Sequence, residues 1–254
     1  MSAGLNPIME DLHPDKDLVA RRQAKGYPPL KPAIDHYAAY LHLEMWLSYL
    51  NGLDHAAVVT ACALLESTLK SALYLLHHVD AGFEFDRKAW DAIDEADFGK
   101  VANMAKSKGL VTKEEWEKLE WFREHIRNDY MHGATPKWLK EYPADEFLKA
   151  DVKTGEVSGA GGTLGDHLVP QRIVRVRADR DVCDEVVPLA DRLVRVISAN
   201  ALAKVEKYKR DNPSSTTVTQ LEQVLDNIQK QGLNVGCVIM SEVPEDLPDP
   251  QTGS

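Results

Sequence analysis

The chain has little cysteine and no long apolar segment at its N-terminus. Its 254 residues include three cysteines, Cys62, Cys183 and Cys237, which are far apart and form no C-x-x-C pair. This pattern argues against a disulfide framework and against a zinc knuckle. No apolar signal region follows Met1, and no window is long and apolar enough to predict a membrane span. We therefore expect a cytoplasmic protein without a membrane partner.

Positive charge is also scarce, since 30 Lys and Arg oppose 40 Asp and Glu and give a net charge of -10. A broad electrostatic contact with duplex nucleic acid is therefore improbable, although a local basic site is compatible with this composition. The glycine-rich stretch 158–165 lacks the G-K-[ST] ending of a phosphate-binding loop and predicts an ordinary flexible loop. Hydrophobic residues make up 44% of the chain, which is enough for a packed core.

Apolar residues recur at helical spacing in most of the chain. The spacing predicts helices over about 33–50, with Pro32 in its first turn, from about 54 to 80, over 98–108, from Thr112 to about 132, and over 182–208. Thr112 and Glu115 have the spacing of a capping box, and Gly109 is placed to end the third helix. The predicted fold class is all-α, a bundle of four to five helices.

Other stretches predict appendages to this bundle. Residues 1–30 are punctuated by prolines and predict a loose arm with a turn of helix, and 31–210 form the helical domain. Within it, 141–180 predicts a hairpin-like insertion, with a turn at Thr154-Gly155 and an alternating, strand-like stretch at 172–177. Residues 80–97 predict a connector. Residues 211–254 predict a partly disordered C-terminal extension with one amphipathic helix at 217–231.

The stretch HIRNDYMHGA, residues 125–134, concentrates polar chemistry at the end of a predicted helix. An arginine beside a histidine suits metal-free cleavage of RNA, in which the 2'-hydroxyl attacks the neighbouring phosphorus. His132 would move protons, because the unperturbed pKa of histidine is about 6.5. Arg127 would stabilise the charge that develops on the phosphate oxygens. The simpler interpretation is that both residues only complement the dipole of the helix C-terminus.

Helical geometry separates the two residues. At 100° per residue, Arg127 and His132 lie about 140° apart on a straight helix. Either the helix loosens near its end, or two protomers contribute to one site, which predicts a symmetric dimer. His125, Asp129 and His132 share one face and form a rival metal triad, although no fourth ligand is evident.

The motif Arg127-Asn128-x-x-x-His132 and its helical context resemble the HEPN superfamily (higher eukaryotes and prokaryotes nucleotide-binding). The second predicted helix, HAAVVTACALLESTLKSALYLL, resembles the family's A-x-x-x-L-E-x-x-L helix, and the run from Phe98 to Gly133 resembles an uncharacterised bacterial branch. The likeness covers about 33–208. Ala134 stands where a branch paired with nucleotidyltransferase antitoxins has a tyrosine, so regulation through that tyrosine is not expected.

The resemblance implies a metal-independent endoribonuclease without cofactor, active as a homodimer, of the toxin, abortive-infection or anti-phage type. Arg127 and His132 would be catalytic, and Asn128 would support them. Position in the sequence predicts three further supporting residues, Asp129, Tyr130 and Glu66. It also predicts three RNA contacts, Arg123, His125 and Lys137. An antitoxin or a defence complex is the implied protein partner.

A second hypothesis is a catalytically inactive helical module that recruits a partner in a defence or regulatory complex. The two hypotheses differ in one structural feature. A nuclease requires His132 close to Arg127 of either chain in an open cleft. An inactive module allows both residues to be buried or ion-paired, for example to Glu66 or Asp129.

Overall fold

The computed structural model describes residues 16–81, 86–131, 140, 148–151, 153–159, 161–163 and 168–213. The contacts divide the chain into two units, 1–211 and 212–254. All helices and strands given below belong to the first unit. Of the second unit only residues 212 and 213 are described, so the predicted helix at 217–231 and the predicted tail lie outside the described residues.

Helices dominate the described chain, and the predicted all-α bundle is confirmed. The elements are α1 (Lys16–Gln23), α2 (His36–Leu50), α3 (Asp54–Asp80), α4 (Arg87–Asp94), α5 (Phe98–Ser107), α6 (Lys113–Phe122), a π-helical turn (Arg123–Arg127), α7 (Asn128–Met131), β1 (Leu148–Ala150), β2 (Val157–Gly159) and α8 (Leu168–Asp211).

Helix α3 is the centre of the core. It packs mainly against α8 and α2, and then against α5. Its predicted apolar face is buried as expected, and consists of Val58, Cys62, Leu65, Leu69, Leu73 and Leu76. Each large aliphatic side chain buried in this way contributes about 1.5–3 kcal/mol from the loss of contact with water. This face therefore holds the bundle together.

The expectation that no segment is apolar enough to span a membrane was wrong for α3. By length and composition alone, this helix meets that criterion. However, 56% of its apolar window is buried within the protein. A central core helix needs the same composition, because neighbouring helices surround it on several sides.

Helix ends follow the predicted capping rules closely. Thr112 and Glu115 form the capping box, with the Thr112 backbone N–H donating to Glu115 Oε2 at 2.7 Å. Gly109 has a φ of 65° just after α5, a conformation that favours glycine. At α2 the prediction needs correction, since the N-cap is Asp35, whose carboxylate accepts from Ala38 N at 2.6 Å. Pro32 therefore precedes the helix instead of lying in its first turn.

Two further sequence predictions were wrong in part. Residues 80–97 are not only a connector, because they contain α4, which Asp86 caps. The alternating stretch 172–177 is helical and belongs to α8. Adding residues to an existing helix gains one hydrogen bond per residue, whereas a strand requires a partner strand. Pro188, which in the sequence could either begin or kink the helix predicted over 182–208, lies inside α8 and does not begin it.

The hairpin is present but smaller than predicted. Strands β1 and β2 pair antiparallel, with Leu148 opposite Gly159, and the predicted turn at Thr154-Gly155 connects them. The side chain of Asp151 organises this turn by accepting from Lys153 N at 2.7 Å. The predicted insertion 141–180 therefore extends too far, because α8 already begins at Leu168.

The predicted arm, residues 1–30, is anchored over its described part. Helix α1 occupies 16–23, and Arg22 within it is buried. Leu30 belongs to the hydrophobic core. The prediction of a loose arm was thus wrong for residues 16–30, because one buried ion pair and one apolar side chain hold them. Residues 1–15 lie outside the described residues.

Candidate functional site

Arg127 lies where the helix geometry changes. It is the last residue of the π-helical turn, in which Asn128 N–H donates to Arg123 O, five residues back. From Asn128 to Met131 the helix is again α. The loosening considered above therefore lies before Arg127 and not in the described part of the interval towards His132. Single π-turns within α-helices are frequent at functional sites.

An ion pair holds the guanidinium of Arg127. Arg127 Nε and Nη2 donate to the same oxygen of Glu66, Oε2, at 3.0 and 2.6 Å. The other oxygen of Glu66 lies 3.2 Å from Lys70 Nζ, and Lys70 also donates to the backbone oxygen of Asp94 at 2.5 Å. The Arg127 guanidinium lies 5.6 Å from the ring centroid of Phe98. Arg127 and Lys70 thus share the carboxylate of Glu66, which lies on α3.

The ion pair keeps partial contact with solvent. The side chain of Arg127 is 18% exposed, and Glu66 and Lys70 are similar. Nη1 of Arg127 makes no hydrogen bond to any residue in the described part of the chain. Burial raises the pKa of the neighbouring Cys62 thiol to about 12, against the opposing effect of Arg127. Arg127 is thus oriented through one edge of its guanidinium while other donors remain available.

A cleft with a volume of about 490 Å³ lies beside this ion pair. This volume falls within the usual range of ligand sites, roughly 300–1,000 Å³. The lining residues come from the start of α2, the exposed side of α3, α4 and the end of α7: Asp35, Tyr37, Ala63, Glu66, Ser67, Lys70, Ser71, Trp90, Ile93, Asp94 and Met131.

The described residues that line this cleft carry a net negative charge. They include three acidic residues, Asp35, Glu66 and Asp94, and one cation, Lys70. A phosphate bound deep in the cleft would meet unfavourable charges, so a phosphate that reaches Arg127 is better placed at the edge near the guanidinium. Lys70 was not predicted as a site residue, although its spacing of four residues from Glu66 is a recognisable ion-pair signal. Trp90 was not predicted either, because it lies on α4, which the sequence pattern did not predict.

Tyr130 has a structural environment distinct from that of Arg127. It is buried, and its hydroxyl donates to Asp179 Oδ1 at 2.5 Å. Its ring stacks on His55, whose Nδ1 lies 3.3 Å from Asp179 Oδ2. Tyr130 thereby connects the motif segment to α3 and α8. Asn128 and Asp129, which were predicted to support the site, are half-buried on α7.

The predicted RNA contacts on the π-helical turn have partners within the protein. Arg123 donates to Glu120 Oε2 through Nε and Nη2, at 3.1 and 2.8 Å, and it also pairs with Glu124 at 2.9 Å. These carboxylates stabilise the charged guanidinium, so they raise the pKa of Arg123 and balance its positive charge. His125 is exposed and stacks on Trp121, with ring centroids 5.5 Å apart.

Two predicted site residues, His132 and Lys137, lie outside the described residues. The structure therefore brings Arg127 and Glu66 together and does not test the pairing of Arg127 with His132. The rival metal triad includes His132 and is equally untested. Among the described residues, no group of three or more histidine, cysteine, aspartate or glutamate side chains is placed to hold a metal ion.

Comparisons with known proteins add no relative to this description. No family model, no curated protein and no solved structure matches the chain. The likeness to HEPN proteins therefore stays a hypothesis that rests on the Arg127-Asn128-x-x-x-His132 motif and on the order of the helices around it.

Proposed function

We propose that the protein is a metal-independent endoribonuclease of HEPN type, active in the cytoplasm as a homodimer, in a toxin or anti-phage role. One observation carries the proposal. Glu66 orients Arg127 through a single carboxylate oxygen, and Nη1 has no hydrogen-bond partner in the described chain. An arginine that is already held in one orientation can bind a phosphate oxygen without first reorienting.

The proposed reaction is transesterification at one phosphodiester. His132 accepts the proton of the 2'-hydroxyl, and O2' attacks the phosphorus. The bond from phosphorus to O5' breaks, and His132 of the other copy, which begins in its protonated form, gives its proton to O5'. Arg127 stabilises the negative charge on the non-bridging oxygens during this step. The products are a 2',3'-cyclic phosphate end and a 5'-hydroxyl end, so no water, metal or oxidant is consumed.

In this proposal Glu66 is a positioning residue. Its carboxylate fixes the guanidinium, yet it also competes with phosphate for the same cation. Because Lys70 shares Glu66, the carboxylate is partly neutralised before RNA arrives. This sharing weakens the competition. Glu66 therefore orients Arg127 without occupying all of its donors.

The second candidate is an inactive interaction module. The observation in its favour is the same ion pair, together with the acidic cleft beside it. If the Arg127–Glu66 pair serves only to hold the π-helical turn against α3, the protein requires no nucleolytic chemistry. The cleft would then bind a partner in a defence or regulatory complex, without contact to RNA.

Incubation of purified protein with labelled RNA in EDTA separates the two candidates. Wild type is compared with Arg127→Ala and His132→Ala. The matched controls are Arg21→Ala and His77→Ala, which remove the same residue types from positions on α1 and at the end of α3, outside the motif. The proposal predicts cleavage by wild type and both controls, 2',3'-cyclic phosphate ends, and loss of cleavage in both site variants, by about 100-fold or more for Arg127.

Three other results would contradict the proposal. Cleavage that requires added divalent metal would favour the rival triad of His125, Asp129 and His132. Equal activity in wild type and in Arg127→Ala would indicate a contaminating nuclease. No cleavage by a dimeric wild type, over a panel of structured and unstructured RNAs, would favour the interaction module.

A further inference from the structure

Helix α2 is apolar on both of its faces. Its sequence, HYAAYLHLEMWLSYL, contains one acidic residue, Glu44, and no lysine or arginine. The inner face packs into the core through Leu41, Met45 and Tyr49. A surface helix ordinarily has a polar outer face, and a helix that is apolar all round is ordinarily buried all round. The outer face of α2 therefore requires an explanation.

Four large apolar side chains form this outer face, which we name the α2 stripe: Tyr37, Tyr40, Leu43 and Leu47. They are exposed by 59%, 54%, 36% and 47%. Their spacing of three, three and four residues places them on one side of the helix, over about 15 Å of its length. A contiguous apolar surface of this kind marks an interaction site more often than an isolated exposed leucine does.

The lack of positive charge on α2 and on the first part of α3 limits what can cover the stripe. No lysine or arginine occurs between Lys31 and Lys70, a span that contains all of α2 and most of α3. RNA and anionic lipid surfaces both need positive charge for affinity, so neither fits this surface. An uncharged apolar stripe is complementary to another uncharged apolar stripe, and a second copy of the chain supplies one.

The position of the stripe also points to a second copy. Tyr37, at one end of the stripe, lines the cleft together with Glu66 and Met131. A chain seated on the stripe would therefore lie beside the Arg127–Glu66 pair. The segment after Arg127 is regular α-helix through Met131, so the described part of the interval shows no loosening of the helix towards His132. This favours the alternative in which two protomers contribute to one site.

We propose that the α2 stripe is the homodimer interface, in which α2 packs against α2 of a second copy about a two-fold axis near Leu43. Burial of the stripe brings the second copy to the edge of the cleft, beside the Arg127–Glu66 pair. The inference rests on the proposed function only in taking this second copy as the partner in catalysis. The interface itself depends only on the exposed surface of α2.

Analytical ultracentrifugation of the full chain tests the interface. Leu47→Glu and Tyr40→Glu each place a charge on the stripe, and both positions are exposed, so the monomer is expected to fold. The control is Trp121→Glu, which changes a residue on α6 that is 40% exposed and lies outside the stripe. We expect a dimeric wild type and control, and a dimer dissociation constant raised about 100-fold in both stripe variants.

A cross-linking experiment locates the axis. Leu43→Cys is introduced in a Cys237→Ser background, and a bifunctional maleimide is added. The remaining thiols, Cys62 and Cys183, are buried, and burial raises the pKa of each, so they are expected to stay unreactive. We expect a covalent dimer from Leu43→Cys and none from Trp121→Cys in the same background.

The outcomes distinguish this inference from the proposed function. A dimer that persists in both stripe variants, or a wild type that is monomeric up to high concentration, overturns the interface. A monomer that cleaves RNA overturns the interface together with the homodimeric mechanism, and leaves only metal-independent cleavage in place. A stripe-dependent dimer that never cleaves RNA supports the interface and overturns the nuclease proposal.

Discussion

Two arginines of this protein are both ion-paired, yet their surroundings differ. Arg22 is 1% exposed and donates to Asp54 Oδ1 at 2.5 Å, to Asp184 Oδ1 at 3.0 Å and to two backbone oxygens, those of Tyr49 and Arg180. Its guanidinium also lies over the ring of Tyr49. Arg127 is 18% exposed, and one oxygen of Glu66 accepts both of its hydrogen bonds.

This difference separates a structural arginine from one that remains available to a ligand. Every nitrogen of the Arg22 guanidinium has an acceptor, and burial, which lowers its pKa, is outweighed by the ion pairs, which raise it. Such a group joins α1, α3 and α8 and has no capacity left for a substrate. Arg127 retains donors and solvent contact, so an ion pair by itself does not show that an arginine is structural.

The largest expected effect is on stability, in Arg22→Ala. Removal of one partner from a buried ion pair leaves a buried carboxylate, Asp54, without its cation and costs about 3–5 kcal/mol. A decrease of about 2–4 °C in Tm is expected for each kcal/mol in a domain of this size. Thermal unfolding followed by circular dichroism measures the change. Arg21→Ala, an exposed neighbour on α1, is the control and should unfold like wild type.

Arg127→Ala should affect RNA cleavage strongly and stability only slightly. Glu66 keeps Lys70 as a partner, so we expect the free energy of unfolding to fall by only about 1 kcal/mol, as for a partly exposed pair. RNA cleavage should fall by about 100-fold or more. Urea denaturation and cleavage assays on the same sample measure both quantities. A stability loss as large as that of Arg22→Ala would mean that the two arginines do not differ in the proposed way.

Substitutions of Glu66 separate its role as an acceptor from the effect of its charge. Glu66→Gln retains an oxygen that accepts from Arg127 but removes the negative charge that competes with phosphate. We expect a lower KM for RNA with nearly unchanged kcat. Glu66→Ala removes the orienting acceptor as well, so kcat should fall by about 10-fold. A purely structural Glu66 would change KM and kcat alike, together with stability.

Asp184→Asn is expected to have a smaller effect. The side chain of Asp184 is 41% exposed, and exposed ion pairs contribute about 0–1 kcal/mol. Arg22 would retain Asp54 and both backbone acceptors. Asp54→Asn, at the buried partner, should cost more than Asp184→Asn in the same urea titration. Equal effects of the two substitutions would contradict the assignment of Asp54 as the main partner.

The smallest expected effect is a change in pH dependence at a third arginine site. Arg195 pairs with Asp191, which also accepts from the buried His42 at 2.6 Å. Burial raises the pKa of Asp191, but the hydrogen bonds from His42 and Arg195 outweigh it and hold the pKa below its ordinary value. The carboxylate therefore stabilises the fold above the unfolded pKa of about 3.9, and this contribution disappears as the pH falls through the folded pKa.

Asp191→Asn tests this sign directly. We expect the variant to be less stable than wild type at pH 6, and the difference in the free energy of unfolding to shrink as the pH falls below about 4. Urea titrations over pH 3–6 measure this difference. A difference that stays constant over this range would show that Asp191 contributes no pH-dependent stability.

Local sequence patterns predicted most helices, because helical periodicity and caps act within a few residues. The face of α3 from Val58 to Leu76 and the capping box at Thr112 needed no tertiary information. Helix α4 is only eight residues long, too short for its periodicity to be recognised. The strand predicted at 172–177 was wrong because six alternating residues are too few to show the helical periodicity of the longer segment. These residues belong to α8, which is 44 residues long.

The candidate site was predicted only in part. Arg127 and Glu66 were both named from the sequence, but their ion pair joins residues 61 positions apart and depends on how the π-helical turn packs on α3. The π-turn itself gives no recognisable pattern in REHIR. Tyr130 was expected beside the site, whereas packing turns it towards Asp179 and His55.

Sequence alone specifies the helical class, the core face of α3, the helix caps and the lack of positive charge between Lys31 and Lys70. These features depend on composition and on spacings of three and four residues, which act locally. Tertiary structure alone decided which carboxylate holds Arg127, that Arg22 is saturated and buried, and that the outer face of α2 stays exposed. Such choices depend on the approach of distant segments, and local periodicity does not specify that approach.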